Sequence, residues 1–346
     1  MSLTHLLGID LPIIQAPMAG AQGSALAIAV CNAGGLGALP CAMLAPDAIR
    51  AEIAAVRAST LAPFNLNFFC HASPVPDEAR EARWRSSLAP YHREYGIDAG
   101  SIPAGAGRVP FDATTAALVE ALRPPVVSFH FGLPGEALLA RVRATGARIL
   151  SSATTVDEAR WLASRGVDAI IAQGLEAGGH RGHFLDHDLT RQLGTFALLP
   201  QVVAAVDVPV IAAGGIATAE GVAAAMAFGA AGVQVGTAFL LCHEASTNAL
   251  HRAALASPDA AHTALTNLFT GRPARGIVNR LMRELGPMHD AAPAFPLATA
   301  AIAPLRAAAE QRGAADFTPM WAGQNARACR PLPAAEVLRD LARGLH

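Results

Sequence analysis

Short apolar runs without polar alternation recur along the chain, and each is bounded by Gly, Pro or Asp. Such runs are typical of strands buried on both faces of a parallel sheet. Most of the runs are separated by segments of helical periodicity. The eight predicted strands cover residues 12–16, 35–40, 64–70, 125–130, 147–152, 168–173, 208–213 and 232–236. The pattern therefore predicts an α/β fold, a (β/α)8 TIM barrel with a helical insertion after the eighth strand.

Two segments carry matching helix start and stop signals. In TTVDEARWLASRG, Thr155 and Glu158 predict a capping box, and Gly166 predicts the end of the helix. In ATAEGVAAAMAFG, Thr218 is the predicted cap and Gly229 the predicted stop. A predicted strand follows each glycine directly, so the spacing indicates two βα units of one layout.

Two stretches exceed a minimal barrel. Residues 71–111 are rich in Pro, Gly and charge, which predicts an insertion after the third strand. Residues 243–312 are too long for one outer helix and are interpreted as several helices. We therefore predict a barrel over residues 1–242, a helical insertion or lid subdomain over 243–312, and a C-terminal segment, 313–346, that returns to the barrel.

The composition excludes several classes of binding partner and mechanism. The 346 residues contain 26 Lys+Arg against 27 Asp+Glu, a net charge of -1, so no basic field is present for nucleic acid or anionic membrane surfaces. There is no lysine, which excludes mechanisms that need a lysine Schiff base. The five cysteines are scattered without a CxxC pair, and the first twenty residues lack Lys and Arg. These features predict a reducing, cytoplasmic location.

The longest uncharged stretch, residues 221–242, is long enough to span a bilayer. Four glycines and Gln234 interrupt it, which favours a short helix followed by a buried strand.

The predicted strand ends supply amides and glycines rather than carboxylates. In a barrel, catalytic groups lie at the carboxyl ends of the strands, and Glu176 is the only carboxylate there, so no metal site is expected. Such a set suits a large neutral heterocycle with a phosphate tail. The candidates are Gln15, Ala16, Pro17, Met18, Asn67, His130, Ser151, Ser152, Gln173, Glu176, Gly214, Gly215, Gln234, Gly236 and Thr237.

The phosphate inference depends on two loops. Gly214 and Gly215 follow the predicted seventh strand, and Gly236 and Thr237 follow the eighth, where barrels of this kind commonly hold phosphate on glycine N–H groups. The alternative is that the glycines only make tight strand-to-helix turns.

QGLEAGGHRGH, residues 173–183, follows the sixth predicted strand. Gln173 offers an amide to a heterocycle edge, Gly178 and Gly179 permit close backbone approach, and His180 titrates near neutral pH. A metal site of His180, His183 and His187 is an alternative that the glycines oppose, because they disfavour the helix it requires. Asn67 and His130 end the third and fourth strands, where a cofactor, a substrate or a neighbouring backbone could pair with them.

Several segments together, in this order, resemble the nitronate monooxygenase family, formerly 2-nitropropane dioxygenases, and its class I in particular. They are PIIQAPMAG (12–20), NAGGLGALP (32–40), FNLNFF (64–69), VSFHFG (127–132), QGLEAGGHRG (173–182), VPVIAAGGI (208–216), GVQVGTAF (232–239) and WAGQNA (321–326).

The resemblance implies FMN across the barrel mouth and His180 as the active-site histidine, with His130 also at the substrate. The implied FMN-binding residues are Ala16, Pro17, Met18, Asn67, Gln173, Gly178, Gly179, Gly214, Gly215, Gln234, Val235, Gly236, Thr237, Trp321 and Gln324. The implied reaction oxidises an alkyl nitronate, such as propionate 3-nitronate, with O2 to a carbonyl compound and nitrite. His180 would favour the anion when protonated or accept the α-proton of a nitroalkane when neutral.

The chain departs from related enzymes in its pocket, where they have lysine and tyrosine from the C-terminal third. Here there is no lysine and no tyrosine after Tyr95, so a positive charge for the substrate has to come from His180 or an arginine. The alternative functions are an NAD(P)H-dependent flavin reductase, of the quinone or enoyl-acyl-carrier-protein type, and a barrel that binds a phosphate ligand without redox activity.

Overall fold

The computed structural model describes residues 2–102 and 108–345. Its strands are β1 (Ile13–Gln15), β2 (Gly37–Pro40), β3 (Phe64–Phe69), β4 (Val126–His130), β5 (Arg148–Ala153), β6 (Ala169–Gln173), β7 (Gly179–His180), β8 (Val210–Ala213), β9 (Gly232–Val235), β10 (Thr263–Thr266) and β11 (Ala274–Ile277). Its α-helices are α1 (Leu3–Leu7), α2 (Ser24–Asn32), α3 (Pro46–Ser59), α4 (Glu78–Tyr95), α5 (Ala113–Leu122), α6 (Glu136–Ala144), α7 (Val156–Ser164), α8 (Thr195–Ala205), α9 (Ala219–Ala227), α10 (Ala249–Leu255), α11 (Arg280–Leu285), α12 (Thr299–Gln311) and α13 (Ala334–Ala342).

Eight parallel strands form a barrel. Their order is β1-β9-β8-β6-β5-β4-β3-β2, and a parallel bridge between Ile14 and Leu36 joins the two ends. The N–H of Gln15 donates to the carbonyl of Leu36 at 3.0 Å across this junction. The predicted barrel is therefore confirmed, and each of the eight predicted ranges overlaps one of its strands.

The predicted caps are present at both helices. At the start of α7, the hydroxyl of Thr155 accepts a hydrogen bond from the N–H of Glu158. At the start of α9, the hydroxyl of Thr218 accepts one from the N–H of Gly221. Gly166 and Gly229 follow the last turns with φ of +68° and +89°, a left-handed conformation that glycine adopts without strain.

The capping box at α7 is only half formed. The carboxylate of Glu158 does not return to Thr155; it accepts from the N–H and hydroxyl of Thr154 and from the N–H groups of Phe184 and Leu185. Glu158 is buried, and four hydrogen bonds satisfy its charge. It thereby ties α7 to the loop that follows β7.

The uncharged stretch at residues 221–242 contains most of α9 and then the buried strand β9, as the glycines indicated. Among the helices within residues 2–102 and 108–345, none combines the length and the hydropathy needed to cross a bilayer.

The two insertions share a second apolar core. Helix α4, from the 71–111 stretch, packs against α12, from the 243–312 stretch. Trp84 Nε1 donates to the carbonyl of Ala298 at 3.4 Å, and His92 Nε2 donates to that of Ala301 at 3.0 Å. Residues 103–107 of the first insertion lie outside the described residues. The larger buried side chains of this core are Trp84, Leu88, Tyr91, Leu268, Phe269, Leu281, Met282, Ile302, Leu305 and Phe317.

The 243–312 insertion is not purely helical. It contains α10, α11 and α12, but also the antiparallel strands β10 and β11. Strand β11 pairs in turn with β7, where Ala274 lies opposite His180 and Arg275 opposite Gly179. These strands have two to four residues, too few for a readable period, so the apolar pattern predicted helices alone.

The C-terminal helix α13 lies on the barrel. Its apolar face, formed by Val337, Leu338 and Leu341, is buried against α2 and α9. The domain boundaries at 242 and 312 stay a prediction.

Candidate active site

A cavity of about 350 Å³ opens at the carboxyl ends of the barrel strands, beneath the second core. Strand ends, the β6–β7 loop, the C-terminal segment and α12 all contribute to its wall. Of the predicted site residues, the structure brings sixteen to this wall: Ala16, Pro17, Met18, Asn67, His130, Ser152, Gln173, Gly178, Gly179, His180, Gly214, Gly215, Gln234, Gly236, Thr237 and Trp321.

Val235 does not line the cavity. Its side chain is buried in the barrel core, because successive side chains of a strand point to opposite faces and its neighbour Gln234 faces the cavity. The carbonyl of Val235 accepts the N–H of Ala16 at 2.8 Å. This hydrogen bond holds β9 beside the end of β1.

Gln324 does not line the cavity either. Its side chain is exposed, and its N–H donates to the carbonyl of Glu176 at 3.0 Å. The residues on each side of it, Gly323 and Asn325, are at the cavity wall instead. Asn325 Nδ2 donates to the carbonyl of Gly215 at 3.1 Å, so the C-terminal segment is joined to the β8 loop. The WAGQNA segment therefore reaches the cavity through Trp321, Gly323 and Asn325 rather than through the side chain of Gln324.

His180 presents one ring nitrogen that has no partner in the described chain. Its Nε2 lies 2.9 Å from the hydroxyl of Thr270, which is also within hydrogen-bond distance of the carbonyl of Arg272 at 3.3 Å and of its N–H at 3.4 Å. With its proton on Nε2, His180 donates to this hydroxyl. In that tautomer Nδ1, which makes no hydrogen bond within residues 2–102 and 108–345, presents a lone pair to a ligand.

Two side chains fix the backbone at His180. Gln173 Nε2 and His130 Nε2 both donate to the His180 carbonyl, at 3.0 and 3.2 Å. Gln173 also accepts the N–H of Gly182 at 2.8 Å. Because a carbonyl only accepts, His130 carries its proton on Nε2 and receives the Ser152 hydroxyl at Nδ1. Both ring nitrogens of His130 are thus occupied by protein.

The histidines of the cavity are neutral at pH 7. Burial, followed by the positive charge of Arg108, holds the pKa of His180 well below 6.5. Burial lowers the pKa of His130 to about 3. The cavity wall carries Arg108 and Arg306 but no Asp or Glu from the described chain, so its fixed charge is positive.

The glycines of the site are required by packing as well as by any ligand. A Cβ on Gly178 would lie 2.6 Å from the backbone of Ala322. Gly214 has a φ of +123°, and its Cβ would lie 2.7 Å from the Thr195 hydroxyl. The tight-turn interpretation therefore holds at these positions, and it is compatible with a phosphate cradle built on the same turns.

The carboxylate predicted near the strand ends, Glu176, has a structural role. Glu176 accepts the N–H and the hydroxyl of Thr195 at 2.7 and 2.8 Å, at the start of α8. It thereby supports the loop that carries the glycines.

The rings of His183 and His187 lie 5.2 Å apart, but the Nε2 of His180 is already bonded to Thr270. Within residues 2–102 and 108–345, no three His, Cys, Asp or Glu side chains are grouped to hold a metal ion.

Several residues at the cavity wall or beside His180 were not predicted. Phe69 and Phe295 lie 6.4 and 5.4 Å from the His180 ring, centroid to centroid, and Thr270 is its hydrogen-bond partner. The insertions supply Arg108 and Arg306. A single Thr or Phe in an irregular segment gives no sequence signal. The absence of lysine indicated that an arginine could supply the positive charge, but it did not indicate which arginine.

Comparisons with known proteins identify the family of this chain. The sequence profile of the nitronate monooxygenase family matches residues 1–344. A nitronate monooxygenase of Pseudomonas aeruginosa is 44% identical over 99% of this chain and 98% of its own, and one of Paraburkholderia phytofirmans is 45% identical over 99% and 94%. A solved structure, the nitroalkane oxidase of Streptomyces ansochromogenes, is 42% identical with a TM-score of 0.90 and covers 100% of this chain and 98% of its own. Because the family profile spans residues 1–344 and these relatives are 44% and 45% identical over 99% of the chain, the chain belongs to the nitronate monooxygenase family.

Proposed function

We propose that the protein is an FMN-dependent nitronate monooxygenase that oxidises alkyl nitronates, such as propionate 3-nitronate, with O2 to a carbonyl compound and nitrite. The observation that carries the proposal is the free Nδ1 of a neutral His180 at the wall of a positively charged cavity. The printed names of the relatives, nitronate monooxygenase and nitroalkane oxidase, support the same reaction class.

The residues present fit a flavin, on which this family generally depends. The Oε1 of Gln234 is buried at the cavity wall without a hydrogen-bond partner in the described chain, which is costly unless a ligand donor meets it. Ala16, Pro17 and Met18 line the same cavity as Gln234, and their backbone is available to contact the flavin ring. When bound there, FMN supplies the electron acceptor for the substrate.

The phosphate end of FMN fits the junction of the β8, β9 and C-terminal loops. The hydroxyl of Thr237 accepts the N–H of Gly323 at 2.9 Å, so its own proton remains available to a phosphate oxygen. Gly215 and Gly236 leave the adjoining backbone open to the same anion. We assign the phosphate to these four residues and omit Val235 and Gln324.

His180 acts as the proton acceptor in this proposal. When a neutral nitroalkane is bound, the Cα–H bond breaks and the proton moves to Nδ1, which leaves the nitronate anion. A nitronate offered directly needs no such step. His130 and Gln173 act as positioning residues, because they hold the His180 carbonyl and so the direction of its ring.

The cytoplasmic location belongs to the proposal too. Its support is that all five cysteines, Cys31, Cys41, Cys70, Cys242 and Cys329, are free thiols.

The test is the visible spectrum of the purified protein, recorded without oxygen before and after an alkyl nitronate is added, with NADH added to a second sample. We expect a flavin spectrum that changes with nitronate and not with NADH, and nitrite after air is admitted. Reduction by NADH without a response to nitronate would place the protein among the flavin reductases. A protein that stays colourless after FMN is supplied would contradict the flavin itself.

A further inference from the structure

Arg108 and His180 both line the cavity. The Cζ of Arg108 is 5.4 Å from the centroid of the Phe295 ring, and that ring is 5.4 Å from the His180 ring. The carbonyl of Arg108 accepts a hydrogen bond from His71 Nε2 at 2.9 Å, which anchors the Arg108 backbone. Of the charged groups around His180, Arg108 lowers its pKa most. The guanidinium and the proposed proton acceptor thus lie beside the same aromatic ring.

The charge of Arg108 has no carboxylate partner within the described residues. Arg306, on α12, lines the same cavity but forms an ion pair with Glu310 at 2.7 Å. Arg181, also buried, donates to the carbonyls of Gln173 and Gly174. Burial lowers the pKa of Arg108, but a guanidinium stays charged at neutral pH. Arg108 thus brings an unneutralised cation into a partly buried wall, which is costly unless an anion binds there.

The geometry of a nitronate matches that of the Arg108 guanidinium. Its two oxygens lie in one plane on one nitrogen, as the oxygens of a carboxylate lie on one carbon, and the guanidinium fork donates two parallel hydrogen bonds to such a group. Neutral His180 cannot provide the positive charge, and the chain has no lysine.

We propose that Arg108 binds the nitronate oxygens of the substrate. The inference rests on the proposed function and assigns to one residue the positive charge that the sequence left open.

The kinetic test compares Arg108→Gln with Arg306→Gln, which removes the same charge from the same cavity. For propyl-1-nitronate, we expect Arg108→Gln to raise KM at least tenfold while kcat stays within threefold, and Arg306→Gln to raise KM less than threefold. An equal rise in both variants would mean that the cavity responds only to total charge and would overturn the proposal. Arg108→Lys, which keeps the charge but loses the fork, is expected to fall between wild type and Arg108→Gln.

A binding test separates this inference from the proposed function. Nitrate is a planar anion with the same O–N–O geometry, and its binding to the flavin-loaded protein is measured by calorimetry at constant ionic strength. We expect Arg108→Gln to weaken nitrate binding at least tenfold and Arg306→Gln to leave it within threefold. Nitrate binding that is absent in wild type, or equal in wild type and Arg108→Gln, would overturn the proposal. If nitrate binding depends on Arg108 while wild type oxidises no nitronate, the anion site stands and the proposed function fails.

Discussion

Nε2 of His130 lies 3.2 Å from the backbone carbonyl of His180, so one histidine holds the main chain that carries the other. The Ser152 hydroxyl on Nδ1 completes the arrangement and fixes the tautomer of His130. VSFHFG and QGLEAGGHRG, two separate motifs in the sequence, are in this way parts of one hydrogen-bonded unit.

His130→Phe is expected to lower kcat/KM for a nitronate by about tenfold or more, because the loss of a buried hydrogen-bond donor costs about 1–3 kcal/mol and releases the His180 backbone. Ser152→Ala, which removes only the bond that orients His130, is expected to cost about threefold or less. Steady-state oxygen consumption measures both. A His130→Phe enzyme with wild-type kcat/KM would show that the carbonyl contact has no effect on the site.

His180→Asn should leave FMN bound, because the His180 ring is bonded to Thr270 and not to a residue assigned to the phosphate. Turnover of neutral nitroalkanes should fall by about a hundredfold or more, the usual effect of removing a general base. Flavin content by absorbance and nitrite release are the two measurements. Turnover of nitroalkanes equal to that of wild type would remove His180 from the mechanism.

Gly215→Val is expected to reduce FMN retention. Gly215 has a φ of +71°, and a Cβ there would lie 3.3 Å from the Cβ of Glu176. Gly313→Val is the matched control, because Gly313 has a φ of +74° with open space around it and lies away from the cavity. Both variants should lose about 1–2 kcal/mol of unfolding free energy through backbone strain, and only the first should lose flavin. A Gly215→Val protein that purifies fully loaded would contradict the phosphate assignment.

Stability should fall on acidification between pH 6.5 and about pH 4. Burial lowers the pKa of His130 and His183 to about 3 and that of His251 to about 4, whereas an unfolded histidine titrates near 6.5. Below pH 6.5 the unfolded chain therefore takes up protons that the folded chain does not. Each buried histidine then contributes a slope of up to about 1.4 kcal/mol per pH unit, and its contribution is fully present above pH 6.5.

The measurement is denaturant unfolding at several pH values in wild type, His183→Gln and His262→Gln. His183 is 1% exposed, while His262 is at the surface, so only the first substitution should flatten the acid slope. Equal slopes in all three proteins would show that other groups cause the acid sensitivity.

The barrel could be predicted from sequence because each strand is a local signal: a buried parallel strand appears as an unbroken apolar run, and Thr155 and Thr218 mark the helices between. Gly214 and Gly215 after β8 and Gly236 after β9 were predicted for the same reason. The β7–β11 sheet was not, because β7 consists of Gly179 and His180, and its partner lies more than ninety residues away along the chain. Its existence depends on tertiary contact rather than on a local period.

Within the site, residue types were predicted better than their partners. Gln173 was interpreted as an amide for a heterocycle, but both ends of that amide bind the backbone around His180. His130 was interpreted as a substrate contact, and both its nitrogens are bonded to protein. An amide or imidazole at a strand end signals that a polar partner exists. Which partner it is depends on the path of a loop that the pattern does not define.

The pairing of β11 with β7 puts the 243–312 insertion in direct contact with the proposed proton acceptor. Ala274 lies opposite His180 and Arg275 opposite Gly179, so a displacement of β11 would either break this pairing or move the histidine with it. A substitution in β11, which contributes no residue to the cavity wall, could thereby change the position of the His180 ring.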